Sequence, residues 1–408
     1  MYYLSHPTGN QNSREAVLAL SSAGLLDAFA TAVHFDPRSP LVDMLPLAVK
    51  AEISRRNFSD YAGNSGIYSY SIIREIVRAV ATKCGIDWLT RHEDGWASID
   101  KIYRSVDVSV ARLIAKGKSS VSGVYCYEDG ALETFKAAKS FGARTVYELP
   151  IGYWRTHRRL CEEEAQRSPS WAHTWVASKD SEGKVQRKDR EIYLASRLVV
   201  PSPFVAESLR EYPHTLPPIS VVPYGCPDPI KAVSRNWYSG GTLKILFVGA
   251  LSQRKGLKYL LEAVRPLAGS VSLTIIGTGS GRELIDSCHR LLGSMPNSSV
   301  LSEMRKHDIF VFPTLFEGYG LVVTEAFAQG MPVITTPCAG PAAMIENGIH
   351  GWVVPVCDAQ SITERLTECI IKPDLVESMG RSVLKLAAKW TWADYRKCLV
   401  DTIIAGDD

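Results

Sequence analysis

The residues best equipped for chemistry lie in one segment, DIFVFPTLFEGYGLVVTEAFAQGMPVITT, residues 308–336. A strand reads to about Phe312, a loop carries Glu317-Gly318-Tyr319-Gly320, and a helix opens near Leu321 with Glu325 in its first turns. Glycines let backbone amides approach a ligand closely, and a helix start offers unpaired N–H groups and positive dipole. An anion such as a diphosphate is the natural guest. Glu317 would sit beside it and Glu325 about two turns deeper. Eight residues of helix rise about 12 Å, more than the roughly 5–9.5 Å between the paired carboxylates of glycoside hydrolases. The spacing speaks against hydrolysis.

Other candidates are weaker. GTGSG at 277–281 follows a strand and opens a helix, but it is not GxGxxG and reads as a tight turn. His6 follows the first strand and faces the presumed cleft, although a lone His is more often structural. RTHRRLCEEEAQR at 155–167 reads as a solvated helix face in preference to a lipid-phosphate patch.

Short β-branched apolar runs alternate with longer amphipathic stretches, the pattern of parallel sheets with crossover helices. Strands are expected near Tyr2–Leu4, Ser122–Tyr127, Thr145–Leu149 and Arg197–Val200, with helices over Ser13–Leu26, Ile72–Thr82, Gly130–Ser140 and Pro203–Glu211. Residues 34–100 show no clear order. A second cycle has strands at Lys244–Val248, Val271–Ile276, Asp308–Phe312, Pro332–Thr336 and Gly351–Pro355. Its helices are Gly256–Val264, Gly281–Leu292, Leu321–Gln329 and Ser361–Cys369, the last with a capping box at Ser361-x-x-Glu364. The Pro- and Gly-rich stretch Tyr224–Gly241 between the cycles is the linker candidate. The expected fold is α/β: two doubly wound Rossmann-like domains facing a cleft, with ligands at the carboxyl ends of the strands.

The 408 residues leave room for two or three domains, and 46% hydrophobic with 22% charged residues is ordinary for a globular chain. Net charge is +3, and the first 200 residues carry 27 basic against 23 acidic side chains. That excess is too small to argue for nucleic acid and allows only a weakly basic patch facing a membrane or an acidic ligand. Nine scattered cysteines without a CxxC pair indicate neither a disulfide framework nor a zinc site. The stretch Ala16–Val33 lacks a basic leader, is interrupted by Ser21, Ser22 and Asp27, and reads as an amphipathic helix, not an export signal. No apolar run approaches the ~18 residues that span a bilayer. A cytoplasmic protein, at most peripheral at the inner face of the membrane, is expected.

EGYGLVVTE resembles the EX7E motif of retaining glycosyltransferases of family 4, which have the GT-B fold. FVGALSQRKGLKYLLEAV at 247–264, IIGTGSGREL at 275–284 and GMPVITTPCAGPAAMIENGIHGWVVP at 330–355 are similar to the same family. So are RLVVPSPFVAESL at 197–209, ISVVPYG at 219–225 and TWADY at 391–395. The resemblance is strong over 190–395, weaker over 1–30 and faint over 30–120. It implies an acceptor-side domain over 1–224, a linker over 225–241, a nucleotide-sugar domain over 242–388 and a terminal helix, 389–408, returning to the first domain.

The resemblance further implies that Lys255 binds the donor diphosphate. Glu317 and the amides of Gly318, Tyr319 and Gly320 would hold the donor sugar, amides near Leu321 and Val322 the phosphates, and Glu325 the ribose hydroxyls. Amides around Gly9 and Asn10, in SHPTGNQNSR, would approach the diphosphate and acceptor. Two positions depart from the family. Ala250 stands where an arginine is usual, and Arg254, beside Lys255, is the candidate replacement. TVYELPIGYW at 145–154 offers Glu148 where the family has a sugar-contacting histidine. The implied activity is retaining transfer of a hexose from a nucleotide-diphosphate sugar, with UDP or GDP as the nucleotide. The acceptor would be a glycan, a lipid-linked or a small-molecule hydroxyl, in polysaccharide, lipopolysaccharide or other glycoconjugate synthesis. No cofactor or metal is implied. A nucleotide-sugar 2-epimerase of similar fold and a non-catalytic nucleotide-sugar sensor are the alternatives.

Overall fold

The structure, a computed structural model, describes residues 1–35, 56–116, 121–175 and 180–405. Two sheets form, and every strand pairing between named strands is parallel. The first contains β1 (Tyr2–Ser5), β2 (Leu26–Thr31), β3 (Gly66–Ser69), β4 (Gly123–Tyr127), β5 (Arg144–Glu148), β6 (Arg197–Val200) and β7 (Ile219–Val221), in the order β3-β2-β1-β4-β5-β6-β7. The second contains β8 (Leu243–Val248), β9 (Val271–Ile276), β10 (Arg290–Leu291), β11 (Ile309–Phe312), β12 (Val333–Thr335) and β13 (Gly351–Val353), in the order β10-β9-β8-β11-β12-β13. Strand order reverses beside β1 and beside β8, where a doubly wound sheet opens a crevice for ligands. Central strands are largely apolar because helices cover both faces; all of GVYCY in β4 and IFVF in β11 is buried.

The helix Trp392–Ile404 packs on the helix Gln11–Ser22 of the first sheet. Tyr395, Leu399 and Ile403 join Leu4, Leu20 and Tyr125 in one core, and Arg396 Nη1 pairs with Glu15 Oε2 at 2.5 Å. The crossing segment Tyr224–Gly241 is tied down at both ends. Cys226 N donates to Trp390 O at 2.9 Å, and buried Arg235 Nη1 donates to the carbonyls of Met304 and Gln329.

Three local expectations need correction. Ala16–Val33 is not one helix: Gly24, at φ +68°, ends the first helix and lets β2 begin at Leu26, where the small and aromatic residues of LDAFAT fit a buried strand. Gly281–Leu292 is not a helix either. Only the single turn Arg282–Leu284 is helical, and Arg290–Leu291 pairs with β9 at the sheet edge. The helix after β13 starts at Ala359, not Ser361; Asp358 caps it by accepting from Ser361 N at 2.9 Å, so Ser361 donates to the cap and Glu364 is no capping partner. Within 34–100, residues 36–55 lie outside the described residues. The rest forms β3, the helices Ser59–Ala62, Ile72–Cys84 and Asp87–Thr90, and the start of Ile99–Lys116.

Candidate active site

Loops after β8 and β11 meet at the crevice of the second sheet. Gly256, at φ +70°, holds them together: a Cβ there would lie 1.8 Å from Pro313 O, so only glycine allows the approach. Leu315 N and Thr314 Oγ1 both donate to Arg254 O, at 2.9 and 3.1 Å. This clamp presents Arg254 and Lys255 to the EGYG loop. Lys255 Nζ is ion-paired with Glu317 Oε2, and lies 5.0 Å above the Phe312 ring. Arg254 Nη1 donates to Phe316 O at 3.0 Å and stands 4.0 Å from the same Glu317 oxygen. Burial lowers the Lys255 ammonium pKa, and the Glu317 charge works against that shift. Two cations thus share one carboxylate, leaving a positive excess for an anion.

Gly320, at φ +86°, turns the chain into the helix Leu321–Ala328, which no side chain caps at its start. The Glu317 carboxylate also accepts from the Gly318 amide at 3.3 Å, so the loop fills its own donor set. Glu325 accepts from Asn297 Nδ2 at 2.8 Å, and burial raises its pKa. It lines a cavity of about 740 Å³ with Leu321, Thr324, Asn297, Trp392 and Arg396. Tyr319 is 3% exposed; its hydroxyl donates to Tyr224 O at 2.6 Å, which leaves only its backbone for a ligand. Val322 packs partly buried against the second sheet's core.

The first sheet supplies the opposite wall. Gly9, at φ +66°, lies where a Cβ would meet the Phe58 ring, and its amide donates to His6 Nδ1 at 2.9 Å. Asn10 caps the first helix by accepting from Ser13 N at 3.2 Å. His6 is 4% exposed, its ring edge-on to Tyr127, and burial lowers its pKa to about 3. A neutral imidazole that orders the 5–10 loop is the result. Glu148 does not face the cleft: it is 1% exposed and accepts from Tyr125 OH, Tyr224 OH and Asn12 Nδ2.

Several side chains at the junction were not singled out from the sequence. Ser202 Oγ donates to Gly318 O at 2.7 Å, and a Cβ on Gly318 would lie 1.8 Å from Pro150 O. Phe316 packs against His157, Phe204 and Gly152. His157 accepts from Trp175 Nε1 at 2.8 Å; burial, then the nearby Arg254, lower its pKa to about 4. Glu164, within the stretch read as solvated, is 2% exposed and accepts from Ser168 Oγ, Gln253 Nε2 and Tyr259 OH. Serine after a strand is the one signal that marks Ser202, as the cap of Pro203–Ser208.

Comparison with known proteins bears on the same region. The amylovoran biosynthesis glycosyltransferase AmsK of Erwinia amylovora is 32% identical over 138 residues, covering 29% of this chain and 34% of that protein. The chain spans about a third to a half of the length of the curated relatives it matches. Among solved structures, sucrose-phosphate synthase of Thermosynechococcus elongatus superposes with a TM-score of 0.63 at 15% identity, covering 98% of each chain. Anabaena Alr3699/HepE, solved in complex with UDP-glucose, gives 0.60 at 12% identity, again over 98% of each. These likenesses establish the two-domain GT-B fold. Residues 242–371, which hold Arg254, Lys255, Glu317 and Glu325, match the sequence model of the family described as Glycosyl transferases group 1.

Proposed function

We propose that the protein is a glycosyltransferase that moves a hexose from a nucleotide-diphosphate sugar to an acceptor hydroxyl with retention of anomeric configuration. The observation that carries this is the shared ion pair: Lys255 and Arg254 converge on Glu317 beside the helix start at Gly320. An incoming diphosphate replaces Glu317 as counter-ion of Lys255. The freed carboxylate then accepts from the sugar hydroxyls, while Glu325 accepts from the ribose. In the transfer step the bond from C1 of the sugar to the β-phosphate oxygen breaks, its electron pair going to the diphosphate. The acceptor oxygen bonds to C1 on the same face and gives its proton to a phosphate oxygen. Arg254, Lys255 and the Leu321 amide stabilise the charge that develops. Retention rests on the EX7E resemblance.

Several comparisons support the class of substrate: AmsK is named for amylovoran biosynthesis, WaaB for the lipopolysaccharide outer core, and HepE is solved with UDP-glucose. We therefore place the reaction in polysaccharide or lipopolysaccharide synthesis and in the cytoplasm, where free cysteines persist. Among the described residues no helix is long and apolar enough to cross a membrane.

Thermal-shift screening with UDP, GDP and ADP identifies the nucleotide, because a ligand that binds only the native state raises Tm. NMR of the matching hexose donor with an oligosaccharide acceptor then reads nucleotide release and the anomeric signal of the product. Donor consumed without acceptor and without nucleotide release would instead identify an epimerase. Inversion at C1 would overturn the retaining mechanism.

A further inference from the structure

A surface helix ordinarily turns its apolar stripe to the core and its charges to water. The helix Ile72–Cys84 does the reverse. At 100° per residue Ile72, Ile76, Val80 and Ile73 fall within about a third of its circumference. They are 37%, 53%, 53% and 71% exposed. The inward side carries Ala81, 1% exposed, and Glu75, only 6% exposed, which pairs with Arg78 at 2.8 Å and Arg56 at 3.7 Å. The inward side thus holds one small apolar residue and an ion-paired carboxylate, while the large apolar side chains face outward.

The exposed apolar surface continues beyond the helix. The Arg74 guanidinium lies 4.7 Å over the Trp96 ring, which brings Trp96 alongside. Trp88, Trp96 and Ile99 are 65%, 45% and 60% exposed. Ile99 also lines a cavity of about 280 Å³ with His6, Asn10, Tyr103 and Tyr127, at the ends of β1 and β4. The patch thus reaches the mouth of a pocket in the acceptor-side domain.

We propose that this face is a docking surface for an anionic lipid bilayer. Charge complementarity selects that occupant. On the helix itself every exposed or half-exposed charge is basic, Arg74, Arg78 and Lys83, and Arg91 follows; the acidic Asp87, Glu93 and Asp94 lie beyond the helix, toward Trp96. Lys83 falls inside the apolar stripe, where its long stem can lie along lipid while the ammonium reaches phosphate. Isoleucines below, cations at the edge and tryptophans alongside match the layers of a headgroup region. An acceptor hydroxyl carried on a lipid would arrive beside the cavity at Ile99. The docking claim itself does not depend on glycosyl transfer.

The test is co-sedimentation of the full chain with vesicles of equal parts phosphatidylglycerol and phosphatidylcholine, and with phosphatidylcholine alone. Binding to the anionic vesicles, weakened by salt, is expected. Ile73→Glu with Ile76→Glu should lower the partition coefficient by about tenfold or more. Lys83→Glu with Arg91→Glu should remove the preference for phosphatidylglycerol. Unchanged Tm in both double variants shows that each still folds. Equal binding by wild type and Ile73→Glu/Ile76→Glu would overturn the proposal. So would absence of binding by the wild type to the anionic vesicles; a dimer, seen by sedimentation velocity, that the same variant dissociates would then assign the face to a second copy of the chain.

Discussion

Glu317 and Glu325 are both half-buried carboxylates, yet their surroundings divide their work. Glu317 is held by Lys255 and the Gly318 amide, Glu325 by Asn297. Glu325→Ala should weaken nucleotide-diphosphate binding by about 1–3 kcal/mol, the cost of leaving hydroxyl partners unpaired. Glu317→Gln frees Lys255, so it should lower turnover without weakening the free nucleotide. Calorimetric titration beside steady-state rates separates them, and equal loss of nucleotide affinity would contradict the division. Arg254→Ala should cost roughly a hundredfold in kcat, as for one preorganised stabilising group. Adding Ala250→Arg should then restore part of the rate, and near-normal turnover in Arg254→Ala would disprove the substitution of one arginine for the other. His157 titrates near 4 when folded and near 6.5 otherwise. The unfolded chain therefore binds the extra proton, and this contribution to stability falls as pH drops from about 6.5 to 4, by up to about 3 kcal/mol. His157→Gln keeps an acceptor for Trp175 and should lose less Tm over that interval. At this scale the sequence is legible where ligand-binding residues share one loop and helix, as Glu317 and Glu325 do. The Lys255–Glu317 pair spans 62 positions, and nothing in local spacing announces it.

Elements were legible where burial on both faces leaves an apolar run, as in Ile245–Val248 of β8 and all of β11. They were illegible where the chain has to be anchored by something distant. Gly281–Leu292 carries a helical pattern, but Gly277 is pinned under Gly249, where a Cβ would lie 1.8 Å from its carbonyl oxygen. Gly281 N then donates to Leu251 O at 2.9 Å, and the chain runs to the edge of β9 after one turn. The inward ion pairs of Ile72–Cys84 show the same limit: periodicity identifies the helix and not which side faces out. The EGYG loop tests how tightly an element must fit. A methyl on Gly318 would strike Pro150 O across the cleft. Gly318→Ala should cost about 1–3 kcal/mol of stability, read by denaturant titration, and lower kcat more than nucleotide affinity. A variant with unaltered stability and rate would show that the loop moves away from Pro150 freely.

Across the whole molecule, the two sheets are joined by more than a linker. The helix Trp392–Ile404 closes one side of the junction, and the Ser202–Gly318 contact lies at the crevice. On the helix Trp154–Arg167, Glu164 accepts from Gln253 Nε2 at 2.7 Å and Tyr259 OH at 2.8 Å, both in the second domain. Burial works to raise its pKa, but donors on Ser168, Tyr259, Gln253 and Arg167 hold it below the usual value. Its contribution to stability is therefore present at neutral pH and lost as pH falls through that lowered value. A carboxylate fed by both domains is a latch: the Gln253 and Tyr259 donors reach it only while the domains stay together. Removing it should shift the population toward open forms. Glu164→Ala should increase the radius of gyration measured by small-angle scattering, and saturating nucleotide diphosphate should return it toward the wild-type value. Glu164→Gln, which keeps an acceptor oxygen, should open less. Arg167 pairs with Glu164 and also approaches Cys357, so Arg167→Ala serves as a control that removes a charge without removing the acceptor. A scattering profile of Glu164→Ala indistinguishable from wild type, with and without nucleotide, would mean that the Phe316 and Tyr319 contacts hold the domains closed without the latch.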